Sequence, residues 1–298
     1  PAASRHGMPR RSSEALAVPP NYGWCGRHWS QPTSDESVAS IFALIGVYVL
    51  LWSAAWFACA GVSAVLIKPR LPPSTRDDEN SVSYIGQKLV AGLKCALVAG
   101  LTNAALLEMV GQPPHVQQLP HLYTELAGVH FTAFETADML LSAAYGHLDR
   151  LYFVHHLIHI SMGLLIRGSC GPQFTASVLM AQETSGIFLN YYLLLRYRPP
   201  ASAHWSVKLS QLLFALSFFA WRLGLGTYGT LDYMYHYGSG RAWSTLPGHV
   251  QGTLREALQV VLAVALVAAS VMQWYWGGAI LRMAKRRPAS ERAVKRDE

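Results

Sequence analysis

Hydrophobic and polar positions fall along this chain in long blocks, without the short alternation of a half-buried strand. No charged residue occurs from Val38 to Ile67, and none from Leu258 to Leu281. About 20 apolar residues suffice to cross a bilayer as a helix. Further apolar blocks run roughly from Leu89 to Met109, Val129 to Tyr145, Leu151 to Ile166, Phe174 to Leu195 and Leu209 to Leu231. A segment in lipid must satisfy its own backbone hydrogen bonds, so each block is predicted as a helix. The fold class expected is therefore all-α, a polytopic membrane bundle of about seven transmembrane helices, with the third and fourth the shortest and most polar.

The polar stretches between the blocks punctuate this plan. Thr33-Ser-Asp-Glu36 fits a capping box at the start of the first span. Lys68-Pro-Arg70 ends that span, and the proline- and charge-rich stretch from Leu71 to Asn80 reads as a loop outside hydrocarbon. Gln112-Pro-Pro-His115 breaks the chain again, and the stretch to Glu125 is too polar to span. The organisation predicted is a polar arm over 1–37, a first transmembrane helix over 38–67, a membrane domain over 83–285 and a basic tail over 286–298. No internal repeat is visible.

Composition rules out the soluble classes. Of 298 residues, 14% are charged and 51% hydrophobic, where a soluble domain has about a quarter charged. The net charge of +7 does not indicate nucleic acid, because the cations sit at the edges of apolar blocks, where they act as topology signals. With seven spans, one side receives Lys68, Arg70, Arg76, Lys88, Arg150, Arg196, Arg198, Lys208 and the cluster from Arg282 to Arg296. The other receives Arg5, Arg10, Arg11, Arg27, Arg167, Arg241 and Arg255. The excess predicts a C-terminus facing the cytosol or an organelle matrix.

The arm is rich in Arg and Ser, with only Glu14 as an acid before Asp35. That is the composition of an organelle-targeting segment or its remnant, a flexible tail being the alternative; Pro at position 1 fits a processed import. An organellar membrane is expected, the mitochondrial inner membrane ahead of the endoplasmic reticulum. Cys25, Cys59, Cys95 and Cys170 show no CxxC spacing and imply neither a disulfide framework nor a zinc site.

Ionisable side chains inside a span are costly, so each is a candidate for function. Glu135 and Asp138 lie one turn apart on the third span, His155, His156 and His159 crowd the fourth, Glu183 sits in the fifth and Arg222 in the sixth. His155 and His159, at i and i+4, project from one helix face. Such a face can shuttle protons, bind metal or hydrogen-bond a head group; equally, the histidines can satisfy Asp138, Glu183 or backbone groups between packed helices. Arg222 has a matching structural role as counter-ion of Glu183, Asp138 or Glu135. HHxxH resembles one histidine box of membrane desaturases, but the other histidines form no further box, so the ligand count argues against a di-iron site, and no metal or other cofactor is expected. Gly224, Gly226, Gly229, Gly277 and Gly278 are read as points of close helix approach or bending.

In order, Asp138-Met-Leu-Leu, Phe153-Val-His155-His156-Leu-Ile-His159, Gln182-Glu183-Thr-Ser185-Gly-Ile-Phe188-Leu189-Asn190 with Tyr192, and Phe219-Ala-Trp-Arg222-Leu resemble the TLC-domain family. That family includes translocation-associated TRAM proteins, ceramide synthases and TLC-domain proteins of poorly defined function, and the pattern is most similar to the last group. The resemblance, over about Ser83 to Lys285, implies a bundle around an elongated, partly apolar chamber with the paired histidines inward. In ceramide synthases the pair works with two downstream aspartates; here Glu183 stands for the first, whereas Gly186 replaces the second.

The first expectation is thus a non-catalytic protein that binds or senses membrane lipid, with a head group near Asp138, His155, His156, His159, Glu183, Ser185, Asn190 and Arg222. A second, compatible expectation makes it an accessory subunit held by protein partners in a larger organellar complex. The alternative is acyl transfer with His155 or His156 as general base and Glu183 orienting it.

Overall fold

The computed structural model describes residues 36–71, 73, 81–112, 117, 121–168, 173–195, 205–238 and 253–285. Among these, every regular element is helical. The order is α1 (Glu36–Val62), continued by a π segment (Ser63–Ile67) and a 3-10 turn (Lys68–Arg70), α2 (Ser81–Met109), α3 (Leu122–Ala144), α4 (Arg150–Gly168), α5 (Gln173–Ala181), α6 (Glu183–Leu195), α7 (Trp205–Ser217), a π segment (Phe218–Leu225), α8 (Gly226–Gly238) and α9 (Thr253–Lys285). The arm with Thr33, the tail beyond Lys285, Cys25 and Cys170 lie outside the described residues.

Seven helical stretches match the seven blocks once α5 joins α6 and α7 joins α8 through its π segment. Among the described residues, four helices, Phe42–Arg70, Ser81–Met109, Trp205–Tyr235 and Val260–Arg282, are long and apolar enough to cross a membrane. The other three stretches carry His130, His155, His156 and His159 and the acids Glu135, Asp138 and Glu183. α2 and α3 start earlier than expected, at Ser81 and Leu122, which brings Gln87, Lys88 and Glu125 onto helices. Gly111 (φ 83°) follows α2 and Gly146 (φ 70°) follows α3; both take the left-handed conformation that closes a helix and that glycine adopts without a Cβ clash.

α2 sits at the centre, packed against α1, α3, α5 and α6. Of its most apolar window, 44% is inside the protein, against 11% for α1. α1 is therefore peripheral: Ile45 and Trp56 face inward, while Phe42, Leu50, Leu51, Phe57 and Val65 are exposed. In lipid an apolar side chain gains little from leaving its solvent, so helix association rests on close packing and interhelical hydrogen bonds.

Glycines supply the close packing. A Cβ on Gly86 would stand 2.7 Å from the Ala60 Cα, joining α2 to α1. Gly226 and Gly229 on α8 would meet Gln182 Nε2 at 2.6 Å and Val178 Cγ1 at 2.5 Å, and Gly277 on α9 would meet Leu223 Cδ1 at 2.7 Å. The close-approach reading holds at Gly226, Gly229 and Gly277. At Gly224 and Gly278 the nearest atoms, at 3.4 Å, belong to their own helical neighbourhood.

Candidate functional site

Five elements converge on one chain of buried polar groups. At one end, Gln87 on α2 donates through Nε2 to Asp138 Oδ1 at 2.9 Å and to Ser142 Oγ at 2.8 Å, both on α3. The Tyr152 hydroxyl on α4 donates to Asp138 Oδ2 at 2.5 Å. His156 stands between the two α3 acids, its Nδ1 2.5 Å from Glu135 Oε2 and its Nε2 3.3 Å from Asp138 Oδ2. Neither N–H is well aligned with its oxygen, so these are charge contacts more than directed hydrogen bonds. Two carboxylates on the two ring nitrogens suit the imidazolium, the one form with a proton on each.

Lys94 on α2 forms the middle of the chain. Its Nζ lies 2.8 Å from Glu135 Oε1 and 2.8 Å from Glu183 Oε2 on α6, and near the faces of Phe131 and Phe134. Cys95 Sγ donates to the same Glu183 oxygen at 2.9 Å. Arg222, in the second π segment, approaches Glu183 Oε1 only to 3.9 Å and donates from Nε to Ser185 Oγ at 2.6 Å. Lys94, Arg222 and the His156 imidazolium balance Glu135, Asp138 and Glu183. A buried charge survives only when compensated in this way.

The candidate residues thus divide. Asp138, His156, Glu183, Ser185 and Arg222 belong to the chain. Asn190 is adjacent, donating to the Gly186 carbonyl at 2.8 Å beside Cys95. His155 stands apart with a buried, unpartnered Nδ1, its ring 4.0 Å from that of His159 and 5.9 Å from that of Trp276. His159 Nδ1 donates to the His155 carbonyl at 2.7 Å, leaving Nε2 as an acceptor. The close-packed Gly186 explains the missing second acid: a Cβ there would stand 2.6 Å from Cys95 Sγ.

Lys94, Gln87 and Tyr152 were not among the candidates. Lys94 carried a usable signal, being the one lysine in the middle of the second apolar block, and the rule that marked Arg222 applies to it equally. Gln87 and Tyr152 carried none, since each lies near the end of a block, where polar residues are ordinary.

A cavity opens nearer the N-terminal end of α3, on the same helix face as Glu135 and Asp138, bounded also by α4, α5 and α9. Phe131, Met162, Leu179 and Met180 form its apolar wall, and Glu125, His159, Gln173, Gln182 and Gln273 its polar part. Of the candidates named in sequence, only His159 reaches it. Among the described residues, no three His, Cys, Asp or Glu side chains converge as a metal-ligand set.

No curated protein matches the chain. The TLC domain matches residues 96–282, more than half of the molecule, starting just after Lys94 and Cys95 and taking in the remaining acids, His156, Arg222 and the whole cavity. On that match, this multi-pass membrane protein belongs to the TLC-domain family.

Proposed function

We propose that this TLC-domain protein binds membrane lipid without transforming it, and that the lipid lies in the cavity between α3, α4, α5 and α9. The observation carrying this reading is that cavity: mostly apolar in lining, with a few polar groups converging at one part of the wall, the usual form of a lipid or small-molecule site. The charged chain supports it from the other side. His156 is 3% exposed, lies between two carboxylates and does not line the cavity, and Gly186 leaves no room for a second acid. Both features weigh against acyl transfer.

Lipids extracted from the purified full-length chain, compared with the bulk membrane by mass spectrometry, are expected to show one enriched class, and Ala269→Trp, which fills the cavity, to remove it. A profile identical to the bulk membrane would overturn the reading. An acyl-CoA-dependent product lost on His156→Ala would establish the acyltransferase alternative instead.

We propose as a second, compatible role that the chain is an accessory subunit of a larger organellar complex; its Arg- and Ser-rich, acid-poor arm supports the organelle, with the mitochondrial inner membrane ahead of the endoplasmic reticulum. The charge excess beside the last helix supports a C-terminus on the matrix side. Native electrophoresis of gently solubilised membranes should show it in a large assembly; migration as a free monomer excludes that role.

A further inference from the structure

We infer that the buried charged chain is a proton relay, and that in line with the cavity it forms a path for protons across the membrane. The inference stands apart from lipid binding, in which the charged chain takes no part. Chains of acids and histidines inside membrane spans are the usual carriers of protons. Helix packing alone does not call for one, since apolar residues of similar volume often hold helices together as well or better. The links here alternate groups that give a proton with groups that take one. The Tyr152 hydroxyl donates to Asp138 Oδ2 at 2.5 Å, and His156 meets Asp138 with one ring nitrogen at 3.3 Å and Glu135 with the other at 2.5 Å. Lys94 bridges Glu135 and Glu183 at 2.8 Å each.

A proton passes along these links with nothing left over. The His156 imidazolium gives its Nδ1 proton to Glu135, turns the free nitrogen toward Asp138 and is reloaded there. Asp138 has by then taken the Tyr152 hydroxyl proton, and Tyr152, partly exposed in the first turn of α4, takes one from outside. Lys94 gives a proton to Glu183 as it takes the one on Glu135, which restores the ammonium. At that end Glu183, 12% exposed, follows Gln182, which lines the cavity, and His159 lines the cavity within electrostatic reach of both Glu135 and Glu183. The two parts are in line. Glu125, Gly128 and Phe131 at the cavity and Glu135, Asp138 and Ser142 in the chain recur every three or four residues on one face of α3. From Glu125 to Ser142 that face runs about 25 Å, against about 30 Å of hydrocarbon.

The test places the full-length protein in vesicles of one synthetic phosphatidylcholine, with an internal pH dye and a potassium gradient. Valinomycin then sets an inside-negative potential that draws protons in. Acidification well above that of protein-free vesicles, with no matching potassium leak before valinomycin is added, is the expected result. Tyr152→Phe, which removes only the hydroxyl at the mouth of the relay, should cut the rate about tenfold or more, a positioned proton-transfer group being worth at least that much. Ala269→Trp, which fills the cavity, should lower it as well. A rate no higher than in protein-free vesicles overturns the relay, and so does an equal leak of potassium, which marks an open water pore. Tyr152→Phe at the full rate overturns the route through Asp138, and Ala269→Trp at the full rate overturns the cavity as its other end. The first two outcomes need only the unaltered protein, so a poorly folding variant does not blunt the test. None of the four bears on the lipid extraction above.

Discussion

Lys94 holds two acids from different helices, Glu135 on α3 and Glu183 on α6, each at 2.8 Å. Removing it leaves Glu135 and Glu183 short of the cation they share, with His156 and the more distant Arg222 as their remaining counter-charges, and breaking a buried pair from one side destabilises by about 3–5 kcal/mol. Lys94→Met is therefore expected to melt far earlier than the parent in a size-exclusion thermal assay. Adding Glu183→Gln should recover part of the loss, because it removes one of the stranded charges; strictly additive effects would mean that the two residues are not coupled. Gly186 makes a second residue-scale case. With Cys95 Sγ 2.6 Å from where a Cβ would stand, Gly186→Asp adds both bulk and a fourth acid to a balanced cluster. Such overpacking alone is worth about 1–3 kcal/mol. Restoring the acid found in ceramide synthases is thus expected to lower the melting temperature, and a gain of acyl transfer with stability intact would contradict the packing argument.

At the scale of elements, two irregular helices do the work that straight ones would not. The fifth block breaks at Gln182, whose N–H bonds to the Leu179 carbonyl at 3.3 Å while its own carbonyl accepts from Ser185 N–H at 3.2 Å. The break lets Gln182 pack on Gly226 and line the cavity, with Glu183 directed to Lys94. In the sixth block, the π segment gives neighbouring residues separate inward partners: Trp221 Nε1 donates to Asn103 Oδ1 at 3.0 Å and Arg222 Nε to Ser185 Oγ at 2.6 Å. Wider π turns recur at functional sites in helices. Trp221→Phe deletes the Asn103 bond and part of the ring packed against the Leu106 and Phe174 cluster, and should lower stability by at least about 1 kcal/mol. Gly229→Ile would drive a branched side chain into Val178, 2.5 Å from the Cβ position, and separate α8 from α5. The expected readout is a loss of well over that amount, by the same thermal assay, and an unchanged melting point would show the crossing to be loose.

Across the whole molecule the contrast is between a central α2 and a peripheral α1. The two faces of α1 should respond oppositely to substitution. Leu50 is 71% exposed and Trp56 2%, the latter ring 4.8 Å from that of Tyr145. Leu50→Ala is expected to change stability by less than about 0.5 kcal/mol, as surface substitutions usually do, whereas Trp56→Ala opens a packing defect of about 3–5 kcal/mol. Equal sensitivity of the two sites would show that the outer face of α1 is covered, in keeping with a subunit surface in a complex. The cavity and the charged chain also separate at this scale. They lie at different heights along α3, and Ala269 is on α9, which contributes nothing to the charged chain, so Ala269→Trp should alter lipid recovery without the stability loss expected of Lys94→Met.

The amino-acid sequence alone determined the class and the count of helical stretches, because long uncharged blocks have one stable backbone form in hydrocarbon. It also marked Asp138, His156, Glu183 and Arg222, since each is an ionisable residue where an apolar one would be easier to bury, and their order along the chain resembled the family that the domain match then established. Which charge answers which was decided only by the tertiary structure. Pairing depends on how α2, α3, α4 and α6 are rotated against one another, and no spacing within one helix encodes that rotation. For the same reason Lys94 became the centre of the chain and His159 parted from His156, three residues away on the same helix. The cavity wall of Glu125, Gln173 and Gln273 is drawn from three separate helices, and uncharged glutamines carry no signal in a sequence until folding leaves their oxygens buried without a donor.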